Sequence, residues 1–297
     1  MWSLLVIQAI SLIASVFLIV AFFSLFERQF LGSTQIRFGP HKVMISGLSQ
    51  PIADAIKLLS KLYQRPHFGF WGLYWIGPSL MVFLGGFVWF SLPLPFSPWW
   101  PTVGGLMIFL VLSMSVYGTI FSGWFSFSKY GVLGAIRSVT QAISFEIVFT
   151  YSFFLALLSI QSFKMSSFIN NWPIFIVTPW VGVVLFISLV AESGRSPFDL
   201  SESESELVSG YTIEYGSIHY TTIFLGENIS VIFSSWFLAS VVFGLCNGLT
   251  IMALCCLFIW LRATVPRIRY DQMMEVCWIV ILPFMVNSTF TFTLIIF

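Results

Sequence analysis

An all-α polytopic membrane protein, with about eight transmembrane helices and one further amphipathic helix at the membrane interface, is the fold class this sequence predicts. Three observations predict it. Of 297 residues, 58% are hydrophobic and 8% charged, whereas a soluble domain carries about 25% charged residues. The charges are gathered between long uncharged runs, each long enough for the roughly 20 residues of a spanning helix. The basic residues also fall almost wholly in alternate connections, the distribution that orients membrane proteins. A water-soluble enzyme is thereby excluded. The formal net charge of +1 offers no basic excess for nucleic acid, and no nucleic-acid partner is expected.

The elements follow in order within a single membrane domain, 1–297. No charge occurs from residue 2 to 26, the first span. In the connection 27–69, Leu48, Ile52, Ala55, Ile56, Leu59 and Tyr63 recur at helical spacing. Gln50, Asp54, Lys57 and Lys61 share the opposite face, and Pro51 suits a first helical position. Pro51 to Tyr63 is too short to span and predicts an interfacial helix with its apolar face down. Packing against the chain's own bundle is the competing arrangement. The uncharged stretch from Phe68 to Ser128 is interrupted at Pro93, Pro95, Pro98 and Pro101, giving spans at 70–91 and 103–126. After the connection 127–137, Ser138 to Ala191 contains only Glu146 and Lys164 as charges, with a turn at Lys164 to Pro173; the spans are 138–161 and 173–192. The connection 193–217 follows. Between His219 and Arg262 only Glu227 is charged, and one helix there would be about 63 Å long, twice the hydrocarbon thickness. It must fold back near Gly244 to Gly248, giving spans 218–243 and 246–261. After the connection 262–275, the last span is 276–297.

An even number of spans puts both termini on one side. Of the 13 basic residues, Lys164 alone then falls on the opposite side, so the long connections face the cytoplasm or the mitochondrial matrix. Cys246, Cys255, Cys256 and Cys277 lie in apolar runs without a paired spacing, and His41, His67 and His219 are scattered. No metal site is expected. Met1 leads into an apolar stretch without an Arg-rich leader, so no removable targeting peptide is expected; an organellar protein of this kind would be made inside the organelle.

Four polar features carry functional information. The segment Ser193 to Ser217 holds Asp199, Glu202, Glu204, Glu206 and Glu214 against Arg195 alone. Acids so close raise one another's pKa; a solvated acidic loop or a phosphorylatable serine cluster is an equal reading. Glu146 and Glu227 lie inside spans and Glu192 at the inner end of another. Glu146, about 13 Å along a helix from Arg137, reaches mid-membrane, where a carboxylate costs at least about 2.5 to 3.5 kcal/mol and marks a proton or ion path, or else a structural pairing. The Arg262, Arg267 and Arg269 cluster can anchor lipid head groups or hold the acids of a neighbouring loop.

Taken together, these connections resemble the subunit 1 family of respiratory complex I, the proton-pumping NADH:ubiquinone oxidoreductase. The first signature is Arg37-Phe-Gly39-Pro40-His41-Lys42-Val43 with Gly47-Leu48-Ser49-Gln50-Pro51-Ile52-Ala53-Asp54-Ala55-Ile56-Lys57-Leu58. The second runs from Ala191-Glu192-Ser193-Gly194-Arg195-Ser196-Pro197-Phe198-Asp199 through Glu202, Glu204 and Glu206 to Gly210. Arg137 to Glu146, Phe224 to Glu227 and Pro266 to Asp271 match further segments. His41, Met44, Gly194 and Ser203 depart from the usual Asn, Gly, Asn and Gly.

The resemblance implies an eight-span subunit where the membrane arm meets the hydrophilic arm, walling the tunnel by which ubiquinone reaches its reduction site. It implies that Arg28, Arg37, Asp54, Arg195, Phe198, Phe224 and Arg269 line or shape that tunnel, with the interfacial helix at its entrance. It implies further that Glu146, Glu192, Asp199, Glu202, Glu204, Glu206, Glu214 and Glu227 form an acidic path linking quinone chemistry to proton movement. The chain would carry no redox cofactor or metal and no catalytic residue of its own, ubiquinone being the substrate and FMN, NADH and iron-sulfur clusters belonging to partner subunits. Partners would be other membrane-arm subunits, the hydrophilic quinone-site subunits and membrane lipids. The location would be the mitochondrial inner membrane, with a bacterial plasma membrane as the alternative. A subunit of a membrane-bound hydrogenase and a stand-alone proton or cation transporter are the competing functions.

Overall fold

Helices account for almost all regular structure in the computed structural model, which describes residues 2–43, 47–61, 71–92, 103–200 and 210–296. No β-strand occurs among the described residues. In chain order the helices are α1 (Trp2–Thr34), α2 (Gln50–Ser60), α3 (Trp71–Val88), α4 (Gly104–Phe125), α5 (Lys129–Ile160) and α6 (Met165–Asn170). They continue with α7 (Ile174–Val177), α8 (Pro179–Glu192), α9 (Ser217–Val241), α10 (Gly248–Thr264), α11 (Tyr270–Glu275) and α12 (Leu282–Ile296). A π-helical segment, Val276–Ile281, joins α11 to α12 into one continuous rod. Six helical segments are long and apolar enough to cross a membrane, and α8 and α10 are shorter apolar helices. The protein is an all-α polytopic membrane protein.

Several helices run past the span limits read from charge. α1 continues through Glu27 and Arg28 to Thr34, and α5 begins at Lys129, where the Ser128 hydroxyl accepts from the Gly131 N–H at 3.1 Å. A charge marks where hydrocarbon ends, whereas a helix ends where its backbone hydrogen bonds stop. Between α7 and α8 the helix is broken at Thr178, whose backbone is extended (φ −140°, ψ 80°). Pro179 disfavours a helical residue before it and opens α8 itself.

α9 is the central post. It packs against α1, α2, α3, α8 and α10, and 72% of its most apolar window is buried, against 22% for α1 and for the last rod. A helix apolar all round belongs in the interior of a bundle. Its Phe237 meets Phe149 and Phe153 of α5 at 5.6 and 5.0 Å between ring centroids. Lipid tails are as apolar as these rings, so close packing, not exclusion of water, holds such helices together. Buried Ser122, Ser144, Ser152, Ser188, Ser234 and Ser235 each donate to the carbonyl three residues back, which satisfies the hydroxyl without a partner from another helix.

α2 lies outside the bundle. Its Ile52, Ile56 and Leu59 are 61%, 63% and 57% exposed, so its apolar face is not packed on the chain's own helices. The polar face is what docks. Asp54 accepts from Arg28 of α1 at 2.7 Å and from Gln50 at 2.9 Å. At the C-terminal end of α2, the Ser217 hydroxyl at the start of α9 donates to the Leu58 and Lys61 carbonyls at 3.3 and 3.1 Å, supplying partners where a helix end leaves them unmet.

Candidate functional site

A cavity of about 150 Å³ lies between α3, α4, α5, α8 and α9. Its wall changes from apolar side chains such as Leu84, Val88 and Phe233 to Glu192, Glu227, Asp199, Arg195, Gln141 and Tyr211, with hydroxyls of Ser115, Thr119, Ser138 and Ser230 between them. Four residues singled out in the sequence therefore meet on one surface, although they come from the end of α8, the connection after it and the middle of α9.

The connection after α8 is held in place by α5. Gln141, 3% exposed, donates from its Nε2 to the Ala191 and Phe198 carbonyls at 2.7 Å each. These two anchors bracket Glu192 and Arg195. Phe198 stacks obliquely on Phe145 at 5.5 Å, turning away from the cavity wall into the core. Glu192 has one carboxylate oxygen, Oε2, buried without a hydrogen-bond partner, and Glu146 of α5 is near enough for the two charges to repel. A buried carboxyl with an unmet oxygen is either protonated or waiting for a water or proton donor.

Arg195 is the electrostatic centre. Its guanidinium donates to Asn228 Oδ1 at 2.8 Å and lies 3.6 Å from the Glu27 carboxylate. Glu27, at 11% side-chain exposure, is shared with Arg262 of α10 at 2.5 Å. Asp199 in turn accepts from Arg267 at 3.2 Å. The arginines of the last connection thus divide their work: Arg262 and Arg267 hold acids of other segments, while Arg269 is exposed ahead of α11. Glu227 accepts a hydrogen bond from the Tyr211 hydroxyl and feels the opposing fields of Arg195 and Asp199. Guanidinium groups stay charged throughout, so the acids of the cavity are the groups able to change protonation.

The remaining sequence candidates lie elsewhere. Arg28 and Asp54 form the α1–α2 ion pair described above. Arg37 is exposed past the end of α1, and its N–H donates to the Gly32 carbonyl at 2.8 Å. Phe224 is half-buried on α9 beside Tyr220. Glu214 is exposed, and its carbonyl, not its carboxylate, accepts from Tyr74 at 2.5 Å. Glu202, Glu204 and Glu206, with Met44 and Ser203, fall outside the described residues. Beyond the acidic loop the chain is pinned again: buried Tyr215, its hydroxyl pKa pushed up by burial and then by Tyr74, donates to the Ser122 carbonyl at 2.8 Å. No group of three or more metal-ligating side chains occurs among the described residues.

Glu27, Gln141, Tyr211, Asn228, Arg262 and Arg267 complete the site and were not singled out as site residues from sequence. Gln141 carried the clearest signal, a long amide within an otherwise apolar run.

A family model described as NADH dehydrogenase matches residues 7–293. The chain is 38% identical over 286 residues to NADH-ubiquinone oxidoreductase chain 1 of Apis mellifera ligustica, covering 94% of this chain and 92% of that one. It is 36% identical over 298 residues to the Aedes aegypti protein of the same name, covering 95% of each. With the Mytilus edulis counterpart it shares 35% identity over 299 residues, covering 97% of this chain and 96% of that one.

Proposed function

The chain belongs to the NADH dehydrogenase family, alongside chain 1 of NADH-ubiquinone oxidoreductase, and we propose that within the enzyme it walls the ubiquinone tunnel and carries the acids that couple quinone reduction to proton translocation. It is a subunit of an NADH:ubiquinone oxidoreductase of the respiratory chain, and its partners are the other complex I subunits. In the proposed reading it sits in the mitochondrial inner membrane with its long connections on the matrix side. It meets the hydrophilic subunits that hold FMN and the iron-sulfur clusters, and it is bathed by membrane lipids.

One observation carries the coupling role: Glu192, Glu227, Asp199 and Arg195 share a single cavity inside an apolar bundle. Ionisable groups at such depth are costly and persist where they serve a proton or ion path. A quinone that accepts electrons gathers negative charge, and protons with fixed positive charge nearby stabilise it. Arg195, fixed by Asn228 and Glu27, supplies a charge that does not move. Glu192, with its unmet oxygen, supplies a group that can change state. For the tunnel, the supporting observation is α2, with an apolar face turned outward and a polar face tied to α1 and α9. A long hydrophobic tail entering beside it would slide along Ile52, Ile56 and Leu59.

The test is rotenone-sensitive NADH:quinone reductase activity and proton pumping in membranes carrying Glu192→Gln, with assembly checked on a native gel. The expected result is an assembled complex that reduces a hydrophilic acceptor with NADH yet loses quinone reduction or pumping. Wild-type values for both would return Glu192 to a structural role.

A further inference from the structure

We propose that the hydroxyl of Tyr211 is a proton relay between Glu227 and the cavity, joining the end of the acidic loop to a carboxylate inside the membrane; this deepens the coupling role proposed above and rests on it. Tyr211 lies in a short 3-10 turn, Gly210–Thr212, directly after the acidic loop. It is 3% exposed, its side chain lines the cavity, and its hydroxyl donates to Glu227 Oε1.

The turn is locked in position by close backbone contact. Gly134 of α5 faces it, and a Cβ added there would lie 2.8 Å from Gly210 Cα and 2.9 Å from the Tyr211 nitrogen. With its backbone clamped on α5 and its hydroxyl on α9, Tyr211 is held at both ends. Around the pair stand Arg195 and Asp199 from the connection after α8, both acting on Glu227. Glu192 and Arg262 line the same cavity. A phenol is at once donor and acceptor, so it can stay bonded to Glu227 in either protonation state. When Glu227 is a carboxylate, Tyr211 donates to it. When Glu227 is protonated, its O–H donates to the Tyr211 oxygen, and the Tyr211 proton turns toward the cavity.

The relay step conserves charge at the phenol. The Glu227 O–H bond breaks as its proton joins the Tyr211 oxygen, and the original Tyr211 O–H bond breaks as that proton passes to a cavity water. Tyr211 is neutral before and after, and no electron moves. A water occupies about 30 Å³ in the liquid, so a cavity of about 150 Å³ has room for such an acceptor. Phenylalanine would fill the same place and carry no proton.

The experiment compares the assembled complex carrying Tyr211→Phe, Glu227→Gln or both, reading pumped protons per NADH and quinone-reductase turnover, each normalised to NADH:ferricyanide reduction. Expected is at least a roughly fivefold fall in coupled turnover for Tyr211→Phe, with the double variant no worse than the poorer single one, as for groups acting as a unit. Wild-type pumping by Tyr211→Phe overturns the relay, as does a double variant whose defect is the product of the two. If Glu192→Gln and Glu227→Gln both pump normally, the coupling role itself fails; if they fail to pump while Tyr211→Phe pumps, only the relay does. Should Tyr211→Phe not assemble, infrared difference spectra of the wild-type complex on quinone reduction decide. Paired tyrosine and carboxyl bands that shift in D2O are expected, and a carboxyl change without a tyrosine change overturns the proposal.

Discussion

Replacing Gln141 with leucine would release the two anchors that hold the segment carrying Glu192 and Arg195. Leucine has nearly the same volume, so little packing is lost; what goes is the pair of 2.7 Å bonds to the Ala191 and Phe198 carbonyls. The N–H groups of Gly194 and Leu200 still reach those same oxygens. Neither acceptor is stranded, and the cost stays near the net value of about 1 kcal/mol per bond. Opening of residues 191–200 should become easier by about 2 kcal/mol, roughly a thirtyfold rise in the open population. Hydrogen exchange with mass spectrometry on the intact complex reads this directly. Peptides covering 193–200 should exchange about thirtyfold faster while those from the middle of α5 keep their protection. Unchanged exchange at 193–200 would refute the anchoring role, and equal acceleration in α5 would show that Gln141 supports the bundle as a whole.

Other predictions test neighbouring contacts. Glu27→Gln removes the carboxylate shared by Arg195 and Arg262; a loss of about 2 kcal/mol, as for hydrogen bonds to charged groups, should appear as a lower temperature for half-loss of quinone-reductase activity, and Arg262→Met should add little to it. Gly134→Ala drives a Cβ into the Gly210 backbone and should reduce assembled complex on a native gel. Gly86→Ala, with nothing within 4 Å of the new Cβ, should assemble at least as well as wild type because it restrains a helical position by about 0.5–1 kcal/mol. Ile56→Lys charges the outward face of α2; kcat/KM should fall more for a long-tailed quinone than for a short one, and an equal fall for both would argue against this face as a tail contact.

The fold class was legible because a bilayer imposes a coarse rule: roughly 20 uncharged residues for each crossing. The outward apolar face of α2 was equally legible, since a thirteen-residue amphipathic stretch such as Pro51 to Tyr63 has few other places to go. Glu192, Arg195, Asp199 and Glu227 could be named as candidates because charge is rare here, with 8% charged residues. What escaped was who partners whom. Glu27 looked like the border of a span, and its bond to Arg262 joins positions 235 residues apart; such a contact follows from α1 and α10 crossing near α9, which no local pattern encodes. Tyr211 was one aromatic among many, distinguished only by a hydroxyl that ends beside a carboxylate. The three arginines from Arg262 to Arg269 were read as a cluster able to hold acids, and geometry separates the two that do from the one that does not.

The π-helical segment at Val276–Ile281 makes the last rod sensitive to insertions and deletions more than to substitutions. An α-helix turns about 100° per residue, and a π turn accommodates one residue more than an α turn. Upstream, Met273 and Cys277 face the core at 1% and 0% exposure; downstream, Met285 and Ser288 do so at 0% and 8%. These two stretches share a face only because the surplus residue is absorbed between them. Deleting a single residue from the segment would let the rod wind regularly and rotate the whole distal half, carrying Met285 and Ser288 toward lipid while every remaining amino acid kept its identity. In this stretch the inherited quantity under constraint is a length.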